Sequence, residues 1–316
     1  MPLMKTIFGL SNIRKRLRNT VVVIGVFDGL HRGHRYLMRK AISLANGLNK
    51  PSVCITFHPH PQGEPYLISL KHRIKLIGGL GFDYCLVISF NRGFRAVRAR
   101  GFVEDILVKF FRPWRVLVGE DFRFGYKAQG DIKLLESLGR EFGFALKPVN
   151  KLRIAKKIIS SERIRSLIRS GRLKEAETFL GRKVSVLGTV IHGAKRGRVL
   201  GYPTANINPH HEVLPKEGVY AVQVLYENKE YGGLCNIGRR PTFSLKDEDK
   251  AIEAHLFGFK KDIYGEDLEI QFIRKIREEK KFPRGSLLAQ QIQKDSQKAQ
   301  SILKICHCPH LTGQST

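Results

Sequence analysis

The apolar segments of the chain predict an α/β fold followed by a mainly β one. Three observations carry that reading. As far as residue 145, short β-branched runs alternate with longer amphipathic stretches, and from about residue 183 five strand-like runs follow one another with no helix between them. The third is length: 316 residues suffice for two domains, each with a core of its own.

In chain order, TVVVIGVF at 20–27, SVCITF at 52–57, DYCLVI at 83–88 and RVLVG at 115–119 read as strands. Between them, 34–49 and 102–111 carry apolar residues at helical spacing, such as Leu37, Ala41, Leu44 and Leu48. Strands joined by crossover helices build an open parallel sheet. A helical segment at 170–182 forms the join. Beyond it KVSVLGTVIHG, GVYAVQVLY, KEYGGLCNIG, AIEAHLFGF and LEIQFI, separated by Gly, Pro, Asn and Asp turns, predict a small antiparallel domain. At 286–304, Leu287, Leu288, Ile292 and Ala299 predict a closing helix.

Lys and Arg number 56 against 28 acidic residues, a formal charge of +28, so the favoured partners are anionic. From Lys151 to Lys174 nine basic residues face one acid, Glu162, which suits either polyphosphate contact or a solvated basic helix. Cys54, Cys85 and Cys235 sit in apolar runs without the spacing of a disulfide framework or a zinc site, which fits a reducing, cytoplasmic compartment. The apolar run from Val21 ends at Asp28, well short of a membrane span, and Ile7 to Leu10 is too short for a signal-peptide core.

Directly after the first strand-like run stands Gly25, Val26, Phe27, Asp28, Gly29, Leu30, His31, Arg32, Gly33, His34. In an open α/β sheet, ligands bind outside the carboxyl ends of strands, where a new helix offers free N–H groups and a positive dipole end. Gly29 and Gly33 allow close approach of backbone and phosphate. His31 and His34, three apart on a helix, face one side and can both donate to one phosphate. When a phosphate oxygen attacks the α-phosphorus of a nucleotide the nucleophile is already anionic, so positioned donors matter more than a base.

Here the sequence resembles the nucleotidyltransferases that carry an H-x-G-H signature. TFHPHP at 56–61, FNRGF at 90–94, VGEDFRFG at 118–125 with Gly130 and Asp131, and ISSERIR at 159–165 narrow the resemblance to the FAD synthetase module of the bacterial bifunctional riboflavin kinase/FMN adenylyltransferase family. The resemblance implies that Gly25, Phe27, Asp28, Gly29, Ser160, Ser161, Arg163 and Arg165 meet ATP and its phosphates, and that Asn91, Asp121, Phe122 and Phe124 meet the flavin. Read from the residues, Phe122 and Phe124 suit stacking on a flat ring or ordinary core, and the serines and arginines suit a phosphate clamp. The chain departs from the family pattern at Glu162, where a hydroxyl residue is usual, and at His58, where Asp is usual.

In the second half, GAKRGRVLGYPTANI at 193–207 is a Gly-rich, basic loop ending in Thr204 and Asn206. Two apart in an extended segment, their oxygens point the same way and suit magnesium, which takes its remaining ligands from water and nucleotide phosphate. Gly193, Lys195, Arg198 and Gly201 could wrap the polyphosphate. GRVLGYPTANI, GVYAV, NIGRRPTF at 236–243, IEAHLFGF at 252–259 and DIYG at 262–265 resemble riboflavin kinase. By that resemblance Thr204 and Asn206 hold the metal, and Glu253 is the general base toward the ribityl hydroxyl of riboflavin. Taken alone, Glu253 reads as an outward strand residue.

Together these readings give an expectation: a Rossmann-like nucleotidyltransferase domain at 1–180 and a small antiparallel β-barrel flavokinase domain with a C-terminal helix at 181–316. ATP is the co-substrate and Mg2+ the cofactor; riboflavin, FMN and FAD are the flavins; neither membrane nor specific nucleic acid is a partner; and the chain is a monomer or weak homo-oligomer. A narrower alternative keeps the kinase alone. The rival is a basic nucleic-acid-binding protein, which the charge favours and the lack of an aromatic-basic RNA motif disfavours. Cys306, His307, Cys308 and His310 form a terminal cluster that suits a soft metal or a mobile end.

Overall fold

A computed structural model describes residues 3–14, 16–61, 63, 65–192, 202–210, 212–239 and 250–304. Gly193, Lys195, Arg198 and Gly201, and the Cys306 to His310 cluster, lie outside the described residues. The chain divides into two compact units, one of residues 1–164 with 179–181, the other of 165–178 with 182–316.

The first unit holds β1 (Lys5–Phe8), β2 (Thr20–Ile24), α1 (Arg32–Gly47), β3 (Ser52–His58), α2 (Leu70–Gly78), β4 (Tyr84–Ser89), α3 (Arg92–Arg95), α4 (Ala99–Gly101), α5 (Lys109–Phe111), β5 (Pro113–Gly119), α6 (Ile132–Phe142) and β6 (Ala145–Val149). Six strands form one sheet in the order β1-β4-β3-β2-β5-β6. Every neighbouring pair is parallel. From β2 the chain winds outward through β3 and β4, then returns to lay β5 on the other side of β2. The strand order therefore reverses between β2 and β5, which is where open α/β sheets bind ligands.

Both faces of this sheet are covered, so its strands read as continuous apolar runs rather than alternating ones. Val21, Val23, Cys54 and Cys85 pack on one face with Leu37, Met38 and Ala41 of α1 and Ile77 of α2. Val22, Ile24, Val53 and Ile55 pack on the other with Phe102, Val103, Ile106, Leu135 and Leu138. Two expectations need adjusting. β2 stops at Ile24 because Phe27 adopts left-handed backbone, φ 54°, so the strand cannot reach residue 27. Within the helix expected at 102–111, Phe102–Val108 takes the wider π-helical turn.

A two-stranded ribbon, β7 (Arg153–Ile154) with β8 (Lys157–Ile158), leads into α7 (Ser161–Arg169) and α8 (Leu173–Leu180). The second unit then builds β9 (Ser185–Ile191), β10 (Ala205–Asn208), β11 (Gly218–Tyr226), β12 (Lys229–Arg239), β13 (Lys250–Leu256) and β14 (Asp267–Arg277) into a closed antiparallel barrel, order β10-β13-β12-β11-β14-β9. Closure leaves no free sheet edge. The closing helix Gly285–Leu303 covers the barrel's outer face, packing Ala299 on Val219, Ala221 and Leu234. Its buried Asp295 accepts from Arg277 Nε at 2.8 Å.

Candidate functional site

At the carboxyl end of β2 the backbone makes an abrupt turn. Gly25 N–H still donates to the Ile55 carbonyl at 3.1 Å, but Phe27, Gly29 and Leu30 all have positive φ. Only glycine suits position 29: φ is 72°, and a Cβ there would lie 2.5 Å from Leu67 Cδ1. At Gly25 a Cβ would come within 2.7 Å of the Phe27 ring. Asp28, buried, accepts from the Leu67 N–H at 2.8 Å. Ser161 Oγ donates to the Asp28 carbonyl at 3.0 Å, which brings the first turn of α7 onto this turn.

His31 is the N-cap of α1 rather than a residue of its first turn. Its Nδ1 accepts from the His34 backbone N–H at 3.3 Å, and the two rings stack with centroids 3.6 Å apart. An accepting Nδ1 leaves Nε2 carrying the proton, a neutral donor at the start of a helix. Burial pushes the His31 pKa down to about 4, with a smaller opposing effect from its own backbone. His34 is held well below the usual histidine range by burial first, then by His31 and by Arg73. At neutral pH both imidazoles are uncharged, beside N–H groups and a helix dipole that attract anions.

The remaining first-unit candidates gather at the same end of the sheet, though several hold local structure as well. Asn91 follows β4 and caps α3, its Oδ1 accepting from the Phe94 N–H at 2.9 Å. Asp121 follows β5, is exposed, and pairs with Lys151 Nζ at 2.7 Å. Phe122 and Phe124 stack at 5.6 Å, with Phe122 half-buried and Phe124 in the core at 7% exposure. Ser160 Oγ accepts from the Arg163 N–H at 3.3 Å. Glu162 and Arg163 are exposed on the first turn of α7, whereas Arg165 is buried and belongs to the second unit. His58 stacks on Tyr66 at 5.6 Å, and its Nδ1 is buried without a hydrogen-bond partner.

Arg73 escapes sequence reading. Its stretch, LKHRIKLIGG, reads as a basic amphipathic helix, yet Arg73 is 0% exposed and donates to the carbonyls of Val26 at 2.7 Å and Phe57 at 2.9 Å. No composition or spacing marks it out; only the packing does.

In the barrel, strand register assembles the second site. Asn206 of β10 lies opposite Glu253 of β13, and Glu253 lies opposite Asn236 of β12. Directly paired residues share a face, with Cβ atoms about 5 Å apart. Their neighbours Ile207, Ile252, Ala254, Cys235 and Ile237 are buried inward, so the Asn206, Glu253, Asn236 row stands half-buried on the outer face. Glu253 is thus an outward strand residue with an asparagine as its register partner on each neighbouring strand. Asn236 was not singled out in the sequence, since only register reveals its partner. Thr204 sits half-buried immediately before β10, in irregular backbone rather than strand.

That irregular segment is anchored by His255. Its Nδ1 donates to the Pro203 carbonyl at 2.8 Å and its ring meets Tyr202 edge-on at 5.6 Å. Burial lowers the His255 pKa, partly offset by this hydrogen bond. The buried Cys235 thiol is pushed far up by burial and by the Glu253 carboxylate. Among the described residues no cluster of three or more His, Cys, Asp or Glu could hold a metal. The donors on offer are the Thr204 hydroxyl and Asn206 amide, hard oxygens fit for magnesium shared with phosphates.

Comparison with known proteins assigns each half. Residues 13–163 match the FAD synthetase family model and residues 180–303 the Riboflavin kinase model. The bifunctional riboflavin kinase/FMN adenylyltransferase of Haemophilus influenzae is 36% identical over 306 residues, 94% of this chain and 99% of the relative. Those of Escherichia coli K12, at 35% over 301 residues, and Bacillus subtilis, at 33% over 298, cover 92% and 91% of this chain and 96% and 93% of their own. A crystal structure described as a macrolide-efflux protein from Streptococcus pneumoniae matches with TM-score 0.78 and 30% identity over 94% of this chain and 99% of that one. No helix among the described residues is long and apolar enough to cross a membrane. With both family models matched in order and relatives at this identity across nearly its whole length, the chain belongs to the bifunctional riboflavin kinase/FMN adenylyltransferase family and makes FMN from riboflavin, then FAD from FMN.

Proposed function

We propose that the two reactions are divided along the chain, adenylyl transfer in residues 1–180 and riboflavin phosphorylation in 181–316. The observation that carries the kinase half is the cross-strand row Asn206, Glu253, Asn236. Glu253 takes the proton from the ribityl hydroxyl as that oxygen attacks the γ-phosphorus of ATP and ADP departs. Thr204 and Asn206 would hold magnesium, which when bound offsets phosphate charge.

For FAD formation, a phosphate oxygen of FMN attacks the α-phosphorus of ATP and pyrophosphate leaves. His31 and His34 act as neutral donors to the phosphates, beside the open N-terminus of α1. Ser160, Ser161 and Arg163 of the α7 turn extend the phosphate site, and Asn91, Asp121 and the exposed edge of Phe122 border the flavin. The anions that the basic surface serves are nucleotides rather than nucleic acid. Cys54 and Cys85 are register partners yet free thiols, in keeping with a reducing cytoplasm. We assign the chain as a monomer or weak homo-oligomer.

The test separates the products. His31→Ala and His34→Ala should each reduce FAD formation about 100-fold to 1000-fold, as for loss of a transition-state donor, while FMN formation continues. Equal loss of both products would contradict the division.

A further inference from the structure

Among the described residues Arg73 is a fully buried cation that the two reactions do not use directly. It lies one turn into α2, whose N-cap Ser69 Oγ accepts from the His72 N–H at 3.2 Å. A fully buried guanidinium is costly unless its charge and its five donors are used. Here two nitrogens bind the carbonyls of Val26 and Phe57, one at the turn after β2 and one within β3, while Nε is buried with no hydrogen-bond partner. The Val26 carbonyl also accepts from Thr56 Oγ1 at 2.9 Å. Tyr66 covers the guanidinium at 4.6 Å and donates its hydroxyl to the same Phe57 carbonyl. Val26 stands between Gly25 and Phe27, so this fork fixes the backbone on which Asp28, His31 and His34 are mounted.

We propose that Arg73 is a positioning residue for adenylyl transfer, clamping the Val26 turn to β3 and setting the charge behind His34. The proposal rests on the reading that His31 and His34 serve FAD formation. Its electrostatic part has a clear sign. A fixed cation opposes a second positive charge nearby, so Arg73 lowers the pKa of His34 and of His58. The other groups facing this place are His31 from the cap of α1, Asp28 from the turn, Cys54 and His58 from β3, and Tyr66 from the loop before α2. Two imidazoles stacked 3.6 Å apart repel one another once both are charged, and Arg73 adds to the burial and to the His31 ring that oppose a charge on His34. The fork part has a different signature: two carbonyls on separate segments need a planar, two-pronged donor, which lysine is not.

Arg73→Lys keeps the charge and loses the fork; Arg73→Gln loses the charge. In the full-length protein, histidine C2–H resonances are followed by NMR against pH, with His34 assigned from the spectrum of His34→Ala. The expected result is a higher His34 midpoint in Arg73→Gln and an unmoved one in Arg73→Lys. FAD formation should fall about 10-fold or more in both, with FMN formation kept as the internal control. A midpoint unmoved in Arg73→Gln, or moved equally in both variants, overturns the electrostatic role. Wild-type FAD formation in Arg73→Lys overturns the clamp. Should Arg73→Gln fail to fold, Arg73→Lys decides: it must keep the wild-type midpoint and lose rate. His34→Ala with undiminished FAD formation would instead sink the site assignment, whatever Arg73 does.

Discussion

At the scale of the residue, the two sites solve opposite problems. A neutral alcohol must lose a proton to attack phosphorus, so the barrel presents a carboxylate, Glu253, between Asn206 and Asn236. An FMN phosphate carries its negative charge already, so the open sheet presents donors, His31 and His34, kept neutral by burial. The depressed His31 pKa has a consequence for stability. The unfolded chain takes up a proton near pH 6.5 and the folded one only near 4, so acid favours unfolding across that window. Stability is complete above pH 6.5 and falls as pH drops from there toward 4, by roughly 3 kcal/mol for this group. Urea unfolding of wild type and His31→Ala at pH 7 and pH 5 should show the wild type losing more on acidification; equal losses would place the histidine in ordinary solvent.

At the scale of the element, the turn from β2 into α1 stores backbone strain, with positive φ at Phe27, Gly29 and Leu30. Gly29→Ala should cost about 2 kcal/mol or more, from the left-handed backbone and the clash with Leu67, and should abolish FAD formation before FMN formation. A melting temperature and FAD rate equal to wild type would show that the turn relaxes freely. The elements legible in sequence were those with an apolar period: β2 to β5, α1, the barrel strands β9 and β11 to β14, and the closing helix. β1 and β6 were not, because an edge strand of four residues and ALKPV, with Lys and Pro in it, show neither an apolar run nor strict alternation. β10, sequence ANIN, is short and polar, and is a strand because β9 and β13 flank it. The site residues followed the same rule. His31 and His34 announce themselves in a motif, whereas Asn236 and Arg73 are defined by cross-strand register and by burial, which no local pattern encodes.

At the scale of the whole molecule, a closed barrel and a doubly covered sheet each have a core of their own. Two such units can carry two chemistries on one flavin in succession, FMN being the product of one and the substrate of the other. The measurement that tests this most directly follows Glu253→Gln in the full-length protein with ATP and magnesium, given either riboflavin or FMN, the flavins being separated over time. Given riboflavin, it should form FMN at least about 100-fold more slowly than wild type, and FAD no faster. Given FMN, it should form FAD at the wild-type rate. Loss of FAD formation from FMN, or undiminished FMN formation from riboflavin, would contradict the assignment of the two steps to two separate sites.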